Sequence, residues 1–339
     1  MADVSDTQTN ILRLLSDGEF HSGESLGKQL GCSRAAVWKH LQKLEAAGLE
    51  LDSVKGTGYR IMGGLDLLEE QKLRAGFSQD VSNSIRELQV FQHIDSTNKF
   101  ARELAERQAA TGTVILAEQQ SAGRGRRGKV WISPFAANIY LSIIWDFNDG
   151  AQALQGLSLA VGVAVKRALS DYGLQSVQLK WPNDIYVDNK KLGGILLEMI
   201  GDPVGHCSVI IGVGLNVSMP AKSGSRIEQE WTDIATLLKE NRPSGEPLKT
   251  PSRNRLAAAL ISEIILLLGD FESRGFAAYC DEWQAADAFY NQQATISTAK
   301  ESINGVVKGV DKDGALRLQL SDGRVERFIG GELSLRLAK

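Results

Sequence analysis

The sequence predicts an α+β protein made of three successive parts: an N-terminal winged helix-turn-helix, a central α+β domain with a mixed or antiparallel sheet, and a small SH3-like β-barrel. Three observations support this. Helix, short helix, helix and strand hairpin follow one another within residues 10–61. Strands then alternate with helices to about residue 287, and short strands with Gly turns fill the remainder. We expect domain boundaries that give residues 1–65, 66–287 and 288–339.

Length and composition limit the function classes. A chain of 339 residues with 43% hydrophobic content is long enough for two or three domains with real cores. The net charge of −3 argues against binding of polyanions by the whole surface, so any basic surface is local. The odd number of distant cysteines, Cys32, Cys207 and Cys280, argues against a disulfide framework or thiolate metal site. No signal peptide or membrane-length apolar run is visible, so we expect a cytoplasmic protein without a membrane partner.

The first part begins with a helix in "NILRLLSDGEF" and a short helix in "SGESLGKQLG", each stopped by glycine. Ser33 is a suitable N-cap for a third helix, Val37, Leu41 and Leu44 form its inner stripe, and Gly48 closes it. The segment "LELDSVKGTGYRIM" then alternates like a strand, turns and returns. This order is typical of a winged helix-turn-helix.

A winged helix of this kind favours DNA binding, with its third helix in the major groove. The candidate DNA contacts are Ser33, Arg34, Lys39, His40, Lys43 and, on the wing, Lys55. Residues 1–64 hold seven Lys and Arg against eight Asp and Glu, so we expect modest affinity for one copy and a need for a dimer. Trp38, beside Val37, is expected to be partly buried rather than a base contact. A protein-interaction or dimerisation domain is the alternative.

The central part contains seven predicted strands. They are "LQVFQHI", "GTVILAE", "NIYLSIIW", "VQLKW", "DIYVD", "KLGGILLEMI" and "HCSVIIGVGLNV". Helices are predicted over residues 96–107, 151–171, 253–273 and 276–287. Tight turns such as Asp188-Asn189 indicate antiparallel neighbours, which excludes a parallel doubly wound sheet. The last part has Gly turns at Asp313-Gly314 and Asp322-Gly323 between short strands, as expected of a small barrel.

The stretch "SAGRGRRGKVW", residues 121–131, places Arg124, Arg126, Arg127 and Lys129 among glycines directly after a strand. Clustered like charges repel unless an anion lies between them, and arginine is well suited to phosphate or carboxylate. A Walker A loop and a Rossmann glycine pattern are both absent from the sequence. The stretch therefore predicts another type of nucleotide or acyl-phosphate site, with a solvated or nucleic-acid-binding loop as the alternative.

Two further polar segments accompany the basic stretch. "KWPNDIYV" supplies Lys180, Asn183 and Asp184 ahead of Lys191, which lies next to Gly193-Gly194 where a ligand can approach backbone. Structural charge pairing is the alternative there. "DSTN", from Asp95 on, either caps a helix or offers hydroxyl and amide groups to a small polar ligand. The sequence has no Cys/His cluster for zinc and no Ser-His-Asp arrangement.

The segments "DSTN", "GRGRRGKVW", "KWPNDIYV", "KLGGILLE" and "GVGLNV", in this order and after a winged helix, resemble bacterial bifunctional biotin–protein ligases that also repress the biotin operon. The resemblance covers nearly the whole chain, to the terminal "GGELSLR". It implies that biotin and ATP give biotinyl-5′-adenylate, and that biotin then passes to a lysine of the biotin carboxyl carrier protein of acetyl-CoA carboxylase. It also implies that the adenylate-bound protein forms a homodimer on operator DNA.

The resemblance assigns roles to individual residues. Biotin binding is implied for Ser96, Thr97, Asn98, Gln120, Arg124, Gly125, Arg126 and Lys191. Adenylate or ATP binding is implied for Arg126, Trp131, Asn183, Asp184, Asn216 and Arg336. Catalytic roles are implied for Lys191, Arg126 and Asp184. Mg²⁺ is expected to arrive with ATP, near Asp184, because no cluster of protein ligands for a metal is visible.

Two other functions compete with this interpretation. A repressor could sense biotin or its adenylate without catalysis, but the presence of both Lys191 and Asp184 argues against it. A related scaffold could attach lipoate, but the basic stretch and the winged helix disfavour it. The basic stretch has a physical role in the ligase, since a cationic lid that orders over a mixed anhydride neutralises its phosphate and excludes water.

Overall fold

Three helices and a strand hairpin make up the N-terminal part, in the predicted order. They are α1 (Asp6–Leu15), α2 (Gly23–Leu30), α3 (Arg34–Ala46), β1 (Leu51–Val54) and β2 (Gly58–Ile61). Val37, Leu41 and Leu44 are buried, so the predicted inner stripe of α3 is confirmed. The α2 helix begins after the N-cap Ser22 and ends at Gly31 in the left-handed conformation, which glycine adopts readily.

The computed structural model describes residues 6–46, 49–148, 150, 154–202, 204–241, 251–297, 301–330 and 333–337. Two expectations fall partly outside these ranges. The predicted end of α3 at Gly48 cannot be placed for this reason, and neither can the first three residues of the helix predicted over 151–171.

A seven-stranded mixed sheet forms the centre of the molecule. Its strands are β3 (Glu87–Ile94), β4 (Thr113–Gln120), β5 (Ile139–Phe147), β6 (Gln178–Lys180), β7 (Asp184–Val187), β8 (Lys190–Gly201) and β9 (Cys207–Leu215). They lie in the order β3-β4-β5-β9-β8-β7-β6. The pair β3 and β4 is parallel and the other pairs are antiparallel, so the prediction of a mixed sheet is confirmed. All seven predicted strands are present.

Helices cover both faces of this sheet. They are α4 (Glu70–Ala75), α5 (Gln79–Ser84), α6 (Thr97–Glu106), α7 (Leu157–Asp171), α8 (Ala221–Gly224), α9 (Ile234–Glu240), α10 (Arg253–Arg274) and α11 (Cys280–Ala285). The helix predicted over residues 276–287 is wrong in part: a 3₁₀ turn at Phe276–Ala278 precedes the short α11. Among the described helices, none combines the length and the apolar character that a membrane span requires.

The α6 helix connects the parallel pair and packs on one face through a small apolar cluster. Ala101 and Ala105 of α6 contact Ile115, Ile144 and Ile210 of the sheet. The opposite face packs against α7 and α10 in the main core. The parallel pairing brings the carboxyl ends of β3 and β4 to one edge of the sheet, because parallel strands end in the same direction. The start of α6 and the basic stretch therefore begin at the same edge.

Five antiparallel strands form the C-terminal part. They are β10 (Gln293–Ser297), β11 (Ser302–Val310), β12 (Leu316–Gln319), β13 (Val325–Phe328) and β14 (Ser334–Leu337), in the order β13-β12-β11-β10-β14. Buried side chains of these strands join the main core of the central part. The Trp181 indole N–H donates to the Gly314 carbonyl over 3.1 Å, which ties this C-terminal sheet to the β6–β7 hairpin.

The segment between the winged helix and the central part is fixed by polar side chains. The Asp66 carboxylate accepts from the backbone of Arg253 and from Asn254 Nδ2, the latter over 2.7 Å, at the start of α10. The Leu68 N–H donates to Glu118 Oε1 over 2.6 Å. We call residues 66–69 with these partners the linker clamp. It fixes the chain that follows the winged helix to β4 and to the start of α10.

Candidate active site

Bare backbone forms the floor of the candidate site, on the face of the sheet that α6 covers. Gly194 of β8 lies opposite Gly214 of β9, with Gly212 two residues earlier on β9. A Cβ atom on Gly214 would lie 2.5 Å from Trp131 Cε2, and one on Gly212 would lie 2.1 Å from Asn98 Oδ1. Because Cβ atoms do not approach other atoms this closely, both positions require glycine. The Trp131 indole and the Asn98 amide therefore lie directly on the backbone of β9 at these two glycines.

A cation-rich group stands beside this floor. Lys191 Nζ lies 2.6 Å from Asp184 Oδ1, and Lys180 Nζ lies 3.6 Å from Asp184 Oδ2, with all three side chains 12–16% exposed. Burial lowers the pKa of Lys180 and of Arg126, while the negative charge of Asp184 opposes both shifts. Burial also raises the pKa of Tyr186 to about 12. The carboxylate of Asp184 thus faces several positively charged side chains. Positive charge remains in excess there, so the site is suited to an anionic ligand.

The basic stretch folds as a short hydrogen-bonded hairpin. The Trp131 N–H donates to the Gly123 carbonyl over 2.9 Å, and the Gly125 N–H donates to the Lys129 carbonyl over 2.8 Å. Arg127 takes a left-handed conformation with φ 58° inside the 3₁₀ turn at Arg126–Gly128. We call residues 123–131 the basic hairpin. That it closes only over a ligand stays a prediction.

Two arginines of the basic hairpin contact the sheet at different places. Arg126 Nη1 donates to Asn183 Oδ1 over 2.9 Å, and Asn183 is itself fixed to β8 by a bond from its Nδ2 to the Ile195 carbonyl over 2.7 Å. Arg124 Nη1 lies 3.4 Å from Glu198 Oε1. The structure therefore brings Arg126, Asn183, Asp184 and Lys191 together beside the glycine floor, in a region that we call the cleft. Their roles toward a ligand stay a prediction.

The indole of Trp131 lies between the floor and the cations. It contacts Gly214, and Lys191 Nζ is 5.6 Å from the centre of its ring. Its Nε1 atom is buried and has no hydrogen-bond partner among the described residues. Asn216, after β9, is 3% exposed, and its Oδ1 atom is likewise buried without a partner in the described part of the chain. Both atoms are candidates for hydrogen bonds to a ligand.

A group of hydrogen-bonded polar side chains lies where β3 and β4 end. Gln120 Oε1 accepts from the Thr97 N–H over 2.9 Å, and Gln120 Nε2 donates to Ser133 Oγ over 3.0 Å. Ser96 Oγ accepts from the Lys99 N–H over 3.4 Å, so Ser96 is an N-cap of α6. The predicted pocket residues Ser96, Thr97 and Gln120 are thus brought together, and the cap alternative also holds for Ser96.

Asn98 is placed differently from its predicted neighbours. Its Oδ1 accepts from Ser142 Oγ over 2.7 Å, and its Nδ2 donates to Glu198 Oε2 over 2.9 Å. Asn98 is 5% exposed and Ser142 is fully buried. Both ends of the amide are therefore used by the protein on the β5 and β8 side of α6.

Arg336 and the candidate DNA contacts lie away from the cleft floor. Arg336, exposed on β14, is close enough to Lys180 that its charge contributes to the lowered Lys180 pKa. Among the predicted DNA contacts, Ser33, Arg34, Lys39, Lys43 and Lys55 are exposed. His40 is partly buried with Nδ1 inside. The expectation of a partly buried Trp38 is wrong: its side chain is exposed, at 48%, because it lies outside the buried stripe of α3 that Val37 and Leu41 form.

Several residues of the site have no role that sequence patterns alone indicate. Lys180 precedes Asp184 in the same polar segment, but the pattern assigns it no function. Glu198 is the single charged residue between Leu192 and Ile200. A carboxylate in an apolar strand requires polar or charged partners, so this pattern could have indicated that Glu198 contacts a cation. The floor glycines cannot be recognised from the sequence, since their role depends on the register of β8 against β9.

The described residues contain no group of three or more His, Cys, Asp or Glu side chains able to hold a metal. Asp184 alone supplies a carboxylate at the cation-rich group, and two ammonium groups already face it. Magnesium commonly binds through one or two carboxylates together with substrate phosphates. The donor set therefore fits an ion carried by phosphate oxygens and not one held by the protein alone.

Comparison with known families divides the chain in the same order as the fold. Residues 7–60 match an HTH domain, residues 90–216 match the biotin/lipoate A/B protein ligase family, and residues 290–336 match the biotin protein ligase C terminal domain. Among solved structures, the biotin protein ligase from Aquifex aeolicus in complex with biotin and ATP superposes with a TM-score of 0.62. It covers 75% of this chain and 100% of its own at 24% identity, which supports the fold.

Curated relatives extend over both the winged helix and the ligase part. The bifunctional ligase/repressor BirA of Escherichia coli K12 is 39% identical over 331 residues, 97% of each chain. The protein of the same name from Bacillus subtilis 168 is 31% identical over 337 residues, 98% of this chain and 99% of its own. The biotin–[acetyl-CoA-carboxylase] ligase of Paracoccus denitrificans is 31% identical and matches 70% of this chain and 98% of its own. This chain therefore belongs to the family of bifunctional biotin ligase/repressors.

Proposed function

We propose that this protein is an ATP-dependent biotin–protein ligase and that, with its adenylate bound, it represses transcription from an operator. One observation carries the ligase half: a cation-rich group around Asp184 lies on a glycine floor and under the basic hairpin. A cleft of that kind suits a flat, partly apolar ligand that carries a phosphate. The family membership of the chain supports the same assignment.

The first half-reaction joins biotin to AMP. A carboxylate oxygen of biotin attacks the α-phosphorus of ATP, the bond from that phosphorus to the bridging oxygen breaks, and pyrophosphate leaves. The attacking and attacked groups are both negative, so their approach needs positive charge at the point of contact. Lys191, oriented by Asp184 at 2.6 Å, supplies that charge, and Arg126 adds to it from the basic hairpin.

The second half-reaction transfers biotin. The amine of a carrier lysine attacks the acyl carbon, the anhydride C–O bond breaks, AMP leaves, and the nitrogen loses a proton. Water is the competing nucleophile. The basic hairpin protects the anhydride by covering it, while Arg126 stays in place through its bond to Asn183. We infer that the substrate lysine belongs to the biotin carboxyl carrier protein of acetyl-CoA carboxylase.

The remaining site residues divide between the two substrates. We assign the biotin head to the pocket of Ser96, Thr97 and Gln120, with the backbone at Gly125. We assign the adenosine to Trp131 and Asn216, whose buried unpartnered atoms would gain hydrogen bonds, and to Arg336. When bound with ATP, Mg²⁺ would neutralise charge on the phosphate oxygens, with Asp184 as its nearest protein carboxylate.

The repressor half rests on the winged helix. Arg34, Lys39 and Lys43 are exposed on α3 and available to operator DNA. We infer that the adenylate-bound protein is a homodimer, which would place two recognition helices on one inverted-repeat site. Val130, on the basic hairpin, is 71% exposed and would contribute apolar surface to such a dimer. We place the protein in the cytoplasm, where carrier protein and operator both occur.

These activities are divided among three domains, for which we propose the boundaries 1–65, 66–287 and 288–339. The first binds DNA, the second binds biotin and ATP, and the third completes the nucleotide site through Arg336. Leu67 and Phe135 join the apolar core of the winged helix and so connect the first two, and the bond from Trp181 to Gly314 connects the last two.

Mass spectrometry of a carrier domain tests the ligase half. The full-length protein is incubated with the carrier domain, biotin, ATP and Mg²⁺, and released pyrophosphate is measured in parallel. We expect one biotin on one lysine and pyrophosphate release that requires biotin. Absence of both would show the alternative, a biotin-sensing repressor without catalysis. Replacement of biotin by lipoate is the control for substrate class.

A further inference from the structure

We propose that Glu198 is a positioning residue that anchors the basic hairpin over the cleft, with Asn98 and Ser142 fixing its carboxylate. Ser142 Oγ donates to Asn98 Oδ1 over 2.7 Å, and Asn98 Nδ2 donates to Glu198 Oε2 over 2.9 Å. The other carboxylate oxygen, Oε1, lies 3.4 Å from Arg124 Nη1. A line of polar contacts thus runs from β5 through α6 and β8 to the basic hairpin.

Burial explains why this line has a fixed geometry. Ser142 is fully buried, Asn98 is 5% exposed, and the Glu198 side chain is 14% exposed. Buried polar groups are costly unless each is hydrogen-bonded, so each member restricts the next. Gly212 contributes as well, because a Cβ atom there would lie 2.1 Å from Asn98 Oδ1. Asn98 and Ser142 therefore hold the Glu198 carboxylate in place without any contribution from the basic hairpin.

The two oxygens of Glu198 are used for different purposes. Oε2 is held by the protein interior through Asn98, whereas Oε1 faces Arg124, whose side chain is 47% exposed. A carboxylate in the apolar stretch Leu192–Ile200 is unfavourable without a cation beside it. The negative charge of Glu198 is therefore compensated when the basic hairpin packs against the sheet and places Arg124 beside the carboxylate.

This arrangement separates the functions of two neighbouring arginines. Arg124 contacts a protein carboxylate, while Arg126 contacts the neutral Asn183 beside the cation-rich group. Arg124 is therefore assigned to anchoring through its guanidinium, and Arg126, which contacts Asn183 beside Asp184, is assigned to the ligand. The basic hairpin can then lie over the cleft without drawing the phosphate-binding arginine away from it.

Limited trypsin digestion of the full-length protein without substrates tests the anchor directly. Trypsin cuts after Arg124, Arg126, Arg127 and Lys129 of the basic hairpin. Peptide mass spectrometry follows the rate at the last three positions, which every variant retains. Glu198→Gln keeps a hydrogen-bonding oxygen for Asn98 but removes the charge. Since ion pairs of this exposure stabilise weakly, we expect cleavage about 1.5- to 5-fold faster. Glu106→Gln, which breaks a 3.1 Å exposed contact with Arg102 on α6, is the matched control and should leave the rate unchanged.

A double variant separates anchoring from a general structural effect. Arg124→Gln should raise cleavage at the same three positions as much as Glu198→Gln does, and the double variant should raise it no further, because both changes remove one interaction. Equal rates in wild type and Glu198→Gln would overturn the proposal. Additive increases in the double variant would also overturn it.

The consequence for adenylate retention rests on the proposed function. In Glu198→Gln, the ratio of adenylate release to adenylate formation should rise about 1.5- to 5-fold, measured by quenching and separating bound from free adenylate. Faster trypsin cleavage with an unchanged ratio would overturn the role of the anchor in retention. Failure of the wild type to make adenylate would instead reject the proposed function, and the trypsin result would still decide the anchor.

Discussion

Arg253 and Glu118 form an ion pair that is almost completely removed from solvent. Arg253 Nη1 lies 2.8 Å from Glu118 Oε2, and the two side chains are 4% and 0% exposed. Arg253 also donates from Nε and Nη2 to the Asn138 carbonyl, and Glu118 accepts from the Leu68 N–H. The pair thus joins the start of α10, strand β4 and the linker clamp.

Loss of one partner of this pair should be strongly destabilising. Arg253→Met would leave the Glu118 carboxylate buried without its cation, for which we expect a loss of about 3–5 kcal/mol in unfolding free energy. Urea denaturation measures the change. Arg74→Met removes an exposed contact to Glu70 and should cost no more than about 0.5 kcal/mol. Similar losses in the two variants would contradict this account of the pair.

Lys191 should be required for adenylate formation and not for folding. Its ammonium stands where charge develops on the attacked phosphate, so Lys191→Ala should lower the single-turnover rate of pyrophosphate release by about 10²–10³-fold. The neighbouring Lys190 is exposed, and Lys190→Ala should keep the wild-type rate. A wild-type rate in Lys191→Ala would show that this lysine is structural charge only.

Arg126→Gly should let the activated acyl group escape. The change removes the bond to Asn183 and a phosphate contact together, and charge-assisted hydrogen bonds of this kind correspond to roughly 10-fold or more in an equilibrium. The measurement is biotin on an unrelated bystander protein. Arg127→Gly is the control, because the exposed Arg127 already has the left-handed backbone that glycine favours. Equal bystander labelling in wild type and Arg126→Gly would reject the lid function.

Asp287 should make stability depend on pH. Burial raises the pKa of its carboxyl to about 6, and its Oδ2 atom has no hydrogen-bond partner among the described residues. The folded state therefore favours the protonated acid, and stability is lost as the pH rises from about 4 through 6. The loss amounts to about 3 kcal/mol above pH 6, from a shift of about two pKa units.

Asp287→Asn cannot ionise and should escape this loss. The unfolding free energy of Asp287→Asn minus that of wild type should therefore increase by up to about 3 kcal/mol from pH 4 to pH 7.5. Urea denaturation at both pH values measures this difference. Asp281→Asn, at an exposed position in the same region, is the control. A constant difference between Asp287→Asn and wild type over this range would contradict the assignment.

Operator binding should respond to the adenylate and to salt. Biotin with ATP should tighten binding to an inverted repeat more than biotin alone, since two copies on one site multiply affinity. Alanine at Arg34, Lys39 or Lys43 should reduce the slope of log affinity against log salt by about 1 for each side chain that no longer neutralises a phosphate. Lys72→Ala, on the exposed side of α4, serves as the control. Equal affinity with and without adenylate, or a protein that stays monomeric, would reject the repressor half alone.

Local patterns in the sequence are sufficient for much of the fold. The leucine spacing of α3 and the glycine stops predict the winged helix because helix periodicity and capping are local properties. The Asp188-Asn189 turn likewise predicts the β7–β8 hairpin, and both residues take positive φ there. The break between Phe276–Ala278 and α11 does not follow from the sequence, since no strong stop residue separates them.

The site is predictable where neighbouring residues act together. Asn183, Asp184 and Lys191 come from adjacent strands of one hairpin system, so their meeting follows from a short segment. The bond from Asn98 to Glu198 joins residues 100 positions apart, and the linker clamp joins Leu68 to Glu118. Such contacts depend on sheet register and on packing of distant elements, which a single sequence does not reveal.

The linker clamp limits how this architecture can lose a domain. A chain shortened to begin after residue 69 would give up the cap that Asp66 provides at the start of α10 and the Leu68 N–H that Glu118 accepts. The deletion would therefore open a buried charged pair to water, in addition to abolishing DNA binding. In evolution or in protein engineering, a stable ligase without the winged helix would need compensating changes at positions 118 and 253 or a replacement segment across them.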